Sequence, residues 1–279
     1  MSATAAIASA VTSAAGTILK RKGLKADSVH HLSYAVIYNL AGAALLSPVL
    51  LFHSPLPNAP QGWLYAGIAA LVWAALGIVA FYNYKQVEAP KLSVLNRFRA
   101  VFLLLLGALL LGEAITANKI ASLALILSSS LLLSFEGNSL KLDRNALIVL
   151  ATGALYALTF ITDKAALGYF SLPAYAFLMY LAPGLIIIAF SAKKPSRHYE
   201  SLKGMGKWVV LATVVDVIAY GTKLIALKES TAITTGLLLE LSLPLTVILG
   251  VAFLGERKDL KKVIVATALA AAGGIIALL

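Results

Sequence analysis

The chain contains no cysteine. Disulfides, thiol nucleophiles and thiolate metal sites are therefore excluded. Charge is also scarce, with 13% of the 279 residues being Asp, Glu, Lys or Arg, about half the share of an ordinary soluble domain. Histidine occurs four times, at positions 30, 31, 53 and 198, and each lies in a polar connection or, for His31, at the first position of an apolar run. A buried histidine metal cluster is not expected, and neither is any metal or cofactor. Familiar catalytic patterns are missing too. There is no His-Glu-x-x-His zinc spacing and no Gly-x-Ser-x-Gly elbow, which argues against an intramembrane enzyme. No Gly-x-x-x-x-Gly-Lys loop occurs, so ATP-driven transport would need a partner.

What remains is overwhelmingly apolar. Hydrophobic residues make up 60% of the chain, more than a single soluble core of this size encloses. A bilayer-crossing helix needs about 20 apolar residues, within a range of roughly 17 to 25. Ten apolar runs meet or approach that length. In the first half they are Ser2–Leu19, His31–Phe52, Trp63–Tyr84, Ala89–Leu111 and Lys119–Phe135. In the second they are Ala146–Ile161, Leu172–Ser191, Trp208–Leu227, Thr231–Leu254 and Val263–Leu279. The expected fold is an all-α multi-pass protein of the cell membrane, with the lipid bilayer as its principal partner. No basic region precedes the first run, so it reads as a span and not as a cleaved signal peptide.

The net charge of +11 does not point to nucleic acid, because the basic residues are clustered in short connections beside apolar segments. Odd-numbered connections hold 17 of the 23 lysines and arginines, and even-numbered ones hold three, Lys119, Lys164 and Lys228. By the positive-inside rule the odd connections face the cytoplasm and both termini lie outside.

The two halves of the chain repeat one another. Leu106-Gly107-Ala108-Leu109-Leu110-Leu111-Gly112-Glu113 recurs 143 residues later as Leu249-Gly250-Val251-Ala252-Phe253-Leu254-Gly255-Glu256. Lys85 falls opposite Lys228, Lys119 opposite Lys262, and the basic end of span one resembles Asp163-Lys164. A duplication with the halves at 1–137 and 138–279 accounts for all of these. Five spans per half is an odd number, so the second half enters the membrane inverted. Inverted repeats are a recurring plan of secondary transporters, whose substrate site lies near the midplane between the halves.

The paired Leu-Gly-Glu endings of spans four and nine, each followed by a polar stretch and a further apolar helix, resemble the drug/metabolite transporter superfamily, and within it the EamA-type ten-helix members. Pro244, twelve residues before Glu256, fits that pattern, while Val101 departs from it at the matching place in the first half. The resemblance implies a cavity lined by spans three, four, eight and nine, and export of amino acids or other small metabolites. It also implies termini inside, against the charge count.

Five charged residues lie well within spans: Arg97, Arg99, Asp216, Lys223 and Glu240. Each costs about 2.5–3.5 kcal/mol at a helix centre, so the five without partners would cost on the order of 12–17 kcal/mol. They must face one another or water. Asp216, Tyr220 and Lys223 share one face of span eight, and Arg97 and Glu240 are repeat equivalents. Direct contact between those two needs a fully extended arginine. Asn96, Tyr82, Thr234, Thr235 and Ser242 are neutral groups able to complete a site. In one reading the charges lock or gate the halves. In the other, Arg97 or Arg99 binds a substrate carboxylate or phosphate, and Asp216 or Glu240 receives an amine or a coupling proton. Both signs together favour a mixed-charge solute such as an amino acid, moved by alternating access. An anion or sugar-phosphate exchanger and a non-transporting membrane scaffold are the alternatives. Glu113 and Glu256 read as anchors at helix ends.

Overall fold

The computed structural model describes residues 2–24, 28–51, 56–86, 95–134, 144–191, 195–242, 244–246, 248–249 and 260–279. Among them the chain is helical and has no β-strand. The helices are α1 (Ser2–Leu24), α2 (His31–Leu46, extended by a 3-10 turn at Ser47–Leu51), α3 (Pro60–Gln86), α4 (Phe98–Leu111) and α5 (Ala117–Ser134). Then follow α6 (Arg144–Ala166), α7 (Leu172–Ser191), α8 (Pro195–Met205), α9 (Lys207–Glu229), α10 (Ala232–Leu239) and α11 (Leu260–Ile276). The expected junction between the halves, at 137 and 138, lies outside the described residues.

Six helices are long and apolar enough to cross a bilayer: α1, α2 with its extension, α3, α6, α7 and α9. The segments Phe98–Leu111, Ala117–Leu132 and Ala232–Thr246 are apolar but shorter. Ten spans were expected, and six of full length are found among the described residues. Part of the difference is a real interruption. Ahead of α4, Arg99 N–H and Ala100 N–H bond to the carbonyls of Asn96 and Arg97, three residues back. At the end of α10, Glu240 N–H and Leu241 N–H do the same toward Leu237 and Leu238. Under the 143-residue offset these tightened turns overlap, two residues out of register. Spans one and six, by contrast, run longer than their apolar runs, to Leu24 and Ala166. Lys20 and Asp163 fall inside those helices because each finds a partner there. The connection after α7 contributes α8, which packs against α2.

Packing follows the repeat. Span one lies along span eight, α1 on α9, and the equivalent pair, α6 on α3, lies together likewise. The self-equivalent pairs α2·α7 and α5·α11 are also in contact. Both run antiparallel. Asn39 is beside Gly184 and Gly42 beside Tyr180, while Ser129 bonds to the Ala266 carbonyl and Ser122 lies beside Gly273. Equivalent helices pointing in opposite directions are what an inverted repeat requires.

The surface is apolar and the interior carries the charge. Leu64, Leu109, Leu147, Phe190, Ile264 and Ile275 are exposed, whereas Arg97, Asp163, Asp216, Lys223 and Glu240 are buried. A soluble protein inverts that order. Helix contacts depend on small residues, and Ala6, Ala10 and Ala14 of α1 are fully buried, which lets backbones approach closely in lipid.

Candidate functional site

Helix α9 holds two ion pairs seven residues apart. Near its middle, Asp216 Oδ2 lies 2.8 Å from Lys20 Nζ of α1 and accepts a 2.8 Å hydrogen bond from the Tyr38 hydroxyl of α2. Gly16 makes room for it, since a Cβ there would sit 2.1 Å from Asp216 Oδ1. Two turns on, Lys223 Nζ lies 3.0 Å from Asp163 Oδ2 of α6. Asp163 Oδ1 accepts from Trp73 Nε1 at 3.0 Å, from Tyr175 at 2.8 Å and from Tyr220 at 3.3 Å. Lys20 and Asp163 are 143 positions apart. Repeat-equivalent residues of opposite sign therefore bind opposite charges on one helix.

A third cluster joins the halves. Glu240 Oε2 is 2.5 Å from Arg97 Nη1, and Oε1 is 2.5 Å from Arg99 Nε. Arg97 also donates to the Glu240 carbonyl at 2.9 Å. Close packing of α4 on α10, with Gly107 beside Ile233 and Gly236 beside Leu103, brings Arg97 onto its own repeat equivalent. The contact forms where the two interrupted helices pack together. Arg99 differs from Arg97. It is 20% exposed, where Arg97 is 3%, and its guanidinium stacks 4.5 Å from the Tyr156 ring centroid.

The Leu-Gly-Glu ending of span four has a clear physical role. Leu111 closes α4, and Gly112 follows in the left-handed region at φ 65°. Glycine adopts that conformation without a Cβ clash and is the common residue there. The reversal points Glu113 at the start of α10, where its carboxylate accepts from the N–H groups of Ala232 at 2.6 Å and Ile233 at 2.9 Å. A carboxylate satisfies orphan donors and complements the helix dipole at an N-terminus. Lys164 caps the neighbouring helix end, donating to the carbonyls of Leu227 and Ser230. Glu113 is thus an anchor, as expected. Glu256 lies outside the described residues.

Between these clusters is a cavity of about 170 Å³. Ser9, Ser13, Thr17 and Lys20 form one polar face of α1 along it, and Asp216, Tyr220 and Lys223 form the facing stripe of α9. A second cavity of about 140 Å³ shares Lys20, Tyr38, Trp73, Tyr84, Arg99 and Tyr156, and reaches Asn83, Asn96 and Thr152. Those last residues belong to the end of the bundle where the odd-numbered connections lie. Asp163 lines neither cavity. It sits at the opposite end, near the last turn of α6 and under the aromatic contacts of Trp63, Phe170 and Tyr175.

Of the residues singled out from sequence, Arg99, Asp216, Tyr220 and Lys223 line the larger cavity, with Ser242. Asn96 lines the smaller one. Arg97 and Glu240 stand behind Arg99, out of both cavities. Tyr82 is elsewhere, edge-on to the His31 ring, and Tyr84 takes the place expected of it. Thr234 is bonded to Thr231, and Thr235 is buried. The sequence pattern does not single out Lys20, Asp163 or Tyr38 as site residues. Lys20 and Asp163 end their apolar runs, and Tyr38 is one tyrosine among 11. The cavity wall is also wider than spans three, four, eight and nine, since α1, α2, α6 and α7 contribute to it.

The EamA-like transporter family matches residues 1–135 and 144–279. The uncharacterized protein PA1977 of Pseudomonas aeruginosa is 30% identical over 250 residues, covering 87% of this chain and 83% of that protein. A solved crystal structure of a protein shares the fold with a TM-score of 0.74 at 16% identity, over 99% of this chain and 94% of the other. The antiparallel equivalent helices, the apolar exterior and the charged interior agree with the family match, and the chain belongs to the EamA-like transporter family, as an integral membrane protein of the drug/metabolite transporter superfamily.

Proposed function

We propose that the protein carries small organic solutes bearing both a carboxylate and an amine, amino acids or close relatives, across the cell membrane by alternating access. The supporting observation is Arg99. It faces both cavities, yet shares its carboxylate partner with Arg97. The four described ion pairs use four cations but only three carboxylates. Of the two arginines that share Glu240, Arg99 is the one bordering the cavity, and a solute carboxylate would balance the excess charge. Hydroxyls of Ser9, Ser13, Thr17 and Tyr84 offer further hydrogen bonds. Halves 1–137 and 138–279 would exchange roles to open the site to the other side.

The test is counterflow in proteoliposomes with a panel of radiolabelled amino acids, organic phosphates and neutral sugars. Amino acid exchange that falls at least tenfold in Arg99→Ala supports the reading, and exchange of neutral sugars alone would end it. The same cation excess favours a second reading, an anion or sugar-phosphate exchanger. Organic phosphates outpacing every amino acid would select it, and no flux at all would favour a scaffold. Protons are the proposed coupling ion. Asp216 borders the cavity while Glu240 does not, so Asp216→Asn should keep counterflow and lose uptake driven by a pH gradient. Unchanged pH dependence in both Asp216→Asn and Glu240→Gln would remove the proton from the scheme.

A further inference from the structure

We propose that the chamber around Asp163 is a binding site for a primary ammonium group, occupied in this conformation by the chain's own Lys223. It rests on the mixed-charge reading above and names where the solute's amine is received. Three observations carry it. First, Lys223 Nζ lies 4.0 Å from the Phe160 ring centroid, 4.9 Å from Trp73, and 5.7 Å from both Tyr156 and Tyr220. Aromatic rings gathered within about 6 Å of a cation are how proteins recognise ammonium ligands.

Second, the two oxygens of Asp163 are used unequally. Oδ1 takes the three neutral donors Trp73, Tyr175 and Tyr220. Oδ2 takes the Lys223 ammonium. The carboxylate is therefore held in position by groups that stay in place when the lysine leaves, with one oxygen free for an incoming N–H. Third, Lys223 borders the larger cavity and Asp163 does not. The lysine side chain thus stands between the cavity and the carboxylate, and its flexible four-carbon stem lets the ammonium withdraw by side-chain rotation.

In this account a solute ammonium replaces Lys223 on Asp163 Oδ2, and the displaced lysine turns into the cavity. The chamber keeps its charge balance throughout. Lys223 Nζ is also 3.4 Å from Thr159 Oγ1, so two hydrogen-bond acceptors line the seat. That selects a cation carrying N–H groups over a quaternary one.

The experiment uses the purified full-length Lys223→Met protein titrated with methylammonium chloride, read by tryptophan fluorescence, to which Trp73 reports directly, and by thermal unfolding. The expected result is a saturable change in both signals. Tetramethylammonium should act at least tenfold more weakly, potassium chloride should have no effect, and the wild-type protein should be unresponsive over the same range. The double variant Asp163→Asn/Lys223→Met should lose the response. No saturable response in Lys223→Met, or an equal response in the double variant, overturns the site. If Lys223→Met is recovered folded only in methylammonium, the site is supported. If it is recovered in neither salt while the double variant folds, the site is overturned. None of these readouts needs flux, so a protein that binds methylammonium in the chamber but exchanges no amino acid would refute the proposed transport and leave the site standing.

Discussion

The two ion pairs of α9 have the same chemistry and different surroundings. Asp216 meets Lys20 beside the cavity, and that lysine is 14% exposed. Lys223 meets Asp163 at the other end of the bundle, where the carboxylate is fully buried. An ion pair bordering water costs little to break, because either charge can be rehydrated. A pair sealed among aromatic rings is expensive to break singly, because the survivor is stranded. One helix thus presents a yielding contact toward the odd-numbered connections and a firm one toward the even-numbered connections. Under the proposed alternating access, that asymmetry corresponds to a site open on one side, with the roles reversed if the halves exchange.

The largest effect is expected at the firm end. Asp163→Ala strands Lys223 and should cost about 3–5 kcal/mol, read as a fall in thermal unfolding temperature in detergent. Asp163→Ala/Lys223→Met should regain much of it, since no orphan charge remains. A double variant no better than the single would show that the aromatic packing, and not the charge, closes that end.

Glu240→Ala comes next, because it leaves two guanidinium groups facing each other. A loss of about 2–4 kcal/mol is expected, smaller than at Asp163 since Arg99 reaches the cavity. Arg97→Ala should destabilise more than Arg99→Ala, which keeps the buried Arg97–Glu240 pair. Removing Arg97 and Glu240 together recovers only part of the loss, as Arg99 then has no carboxylate.

How much of this was legible in the sequence varies with the residue. The shared face of Asp216, Tyr220 and Lys223 follows from helical spacing alone, and all three line the cavity. The repeat pointed to Arg97 and Glu240 as a related pair, and allowed their contact only through a fully extended arginine. That contact depends on where α4 and α10 cross, which small residues at Gly107 and Gly236 permit and hydropathy does not record. Lys20 and Asp163 were hidden for a different reason. Reading an apolar run ends it at the first charge, whereas the helix continues wherever that charge has a partner. The signal existed in the offset, since position 20 is basic, position 163 is acidic, and span eight carries one charge of each sign. The tightened turns at 96–97 and 240–241 likewise leave no trace in composition, so the apolar runs of spans four and nine show no break there.

Smaller effects separate close packing from open space along the same pair of helices. Gly16→Ala places a methyl group against the Asp216 carboxylate and should cost about 1–3 kcal/mol as overpacking. Gly221→Ala meets nothing within 4 Å and should stabilise by about 0.5–1 kcal/mol through helix propensity. Equal effects at both would mean that α1 does not lie on α9 as described. Lys20→Met should be the mildest of the charge removals, at about 1 kcal/mol or less, because Asp216 retains the Tyr38 hydrogen bond and access to water.

The difference between the two ends can be read directly, because the chain has no cysteine of its own. A single Ser13→Cys substitution places one thiol on the cavity wall. Inside-out and right-side-out vesicles are then exposed to a membrane-impermeant maleimide. Labelling should occur from the face bearing the odd-numbered connections and be at least tenfold slower from the other. Adding Asp163→Ala should raise the slow rate. Equal labelling from both faces, or faster labelling from the even-numbered side in the unaltered background, would contradict the account.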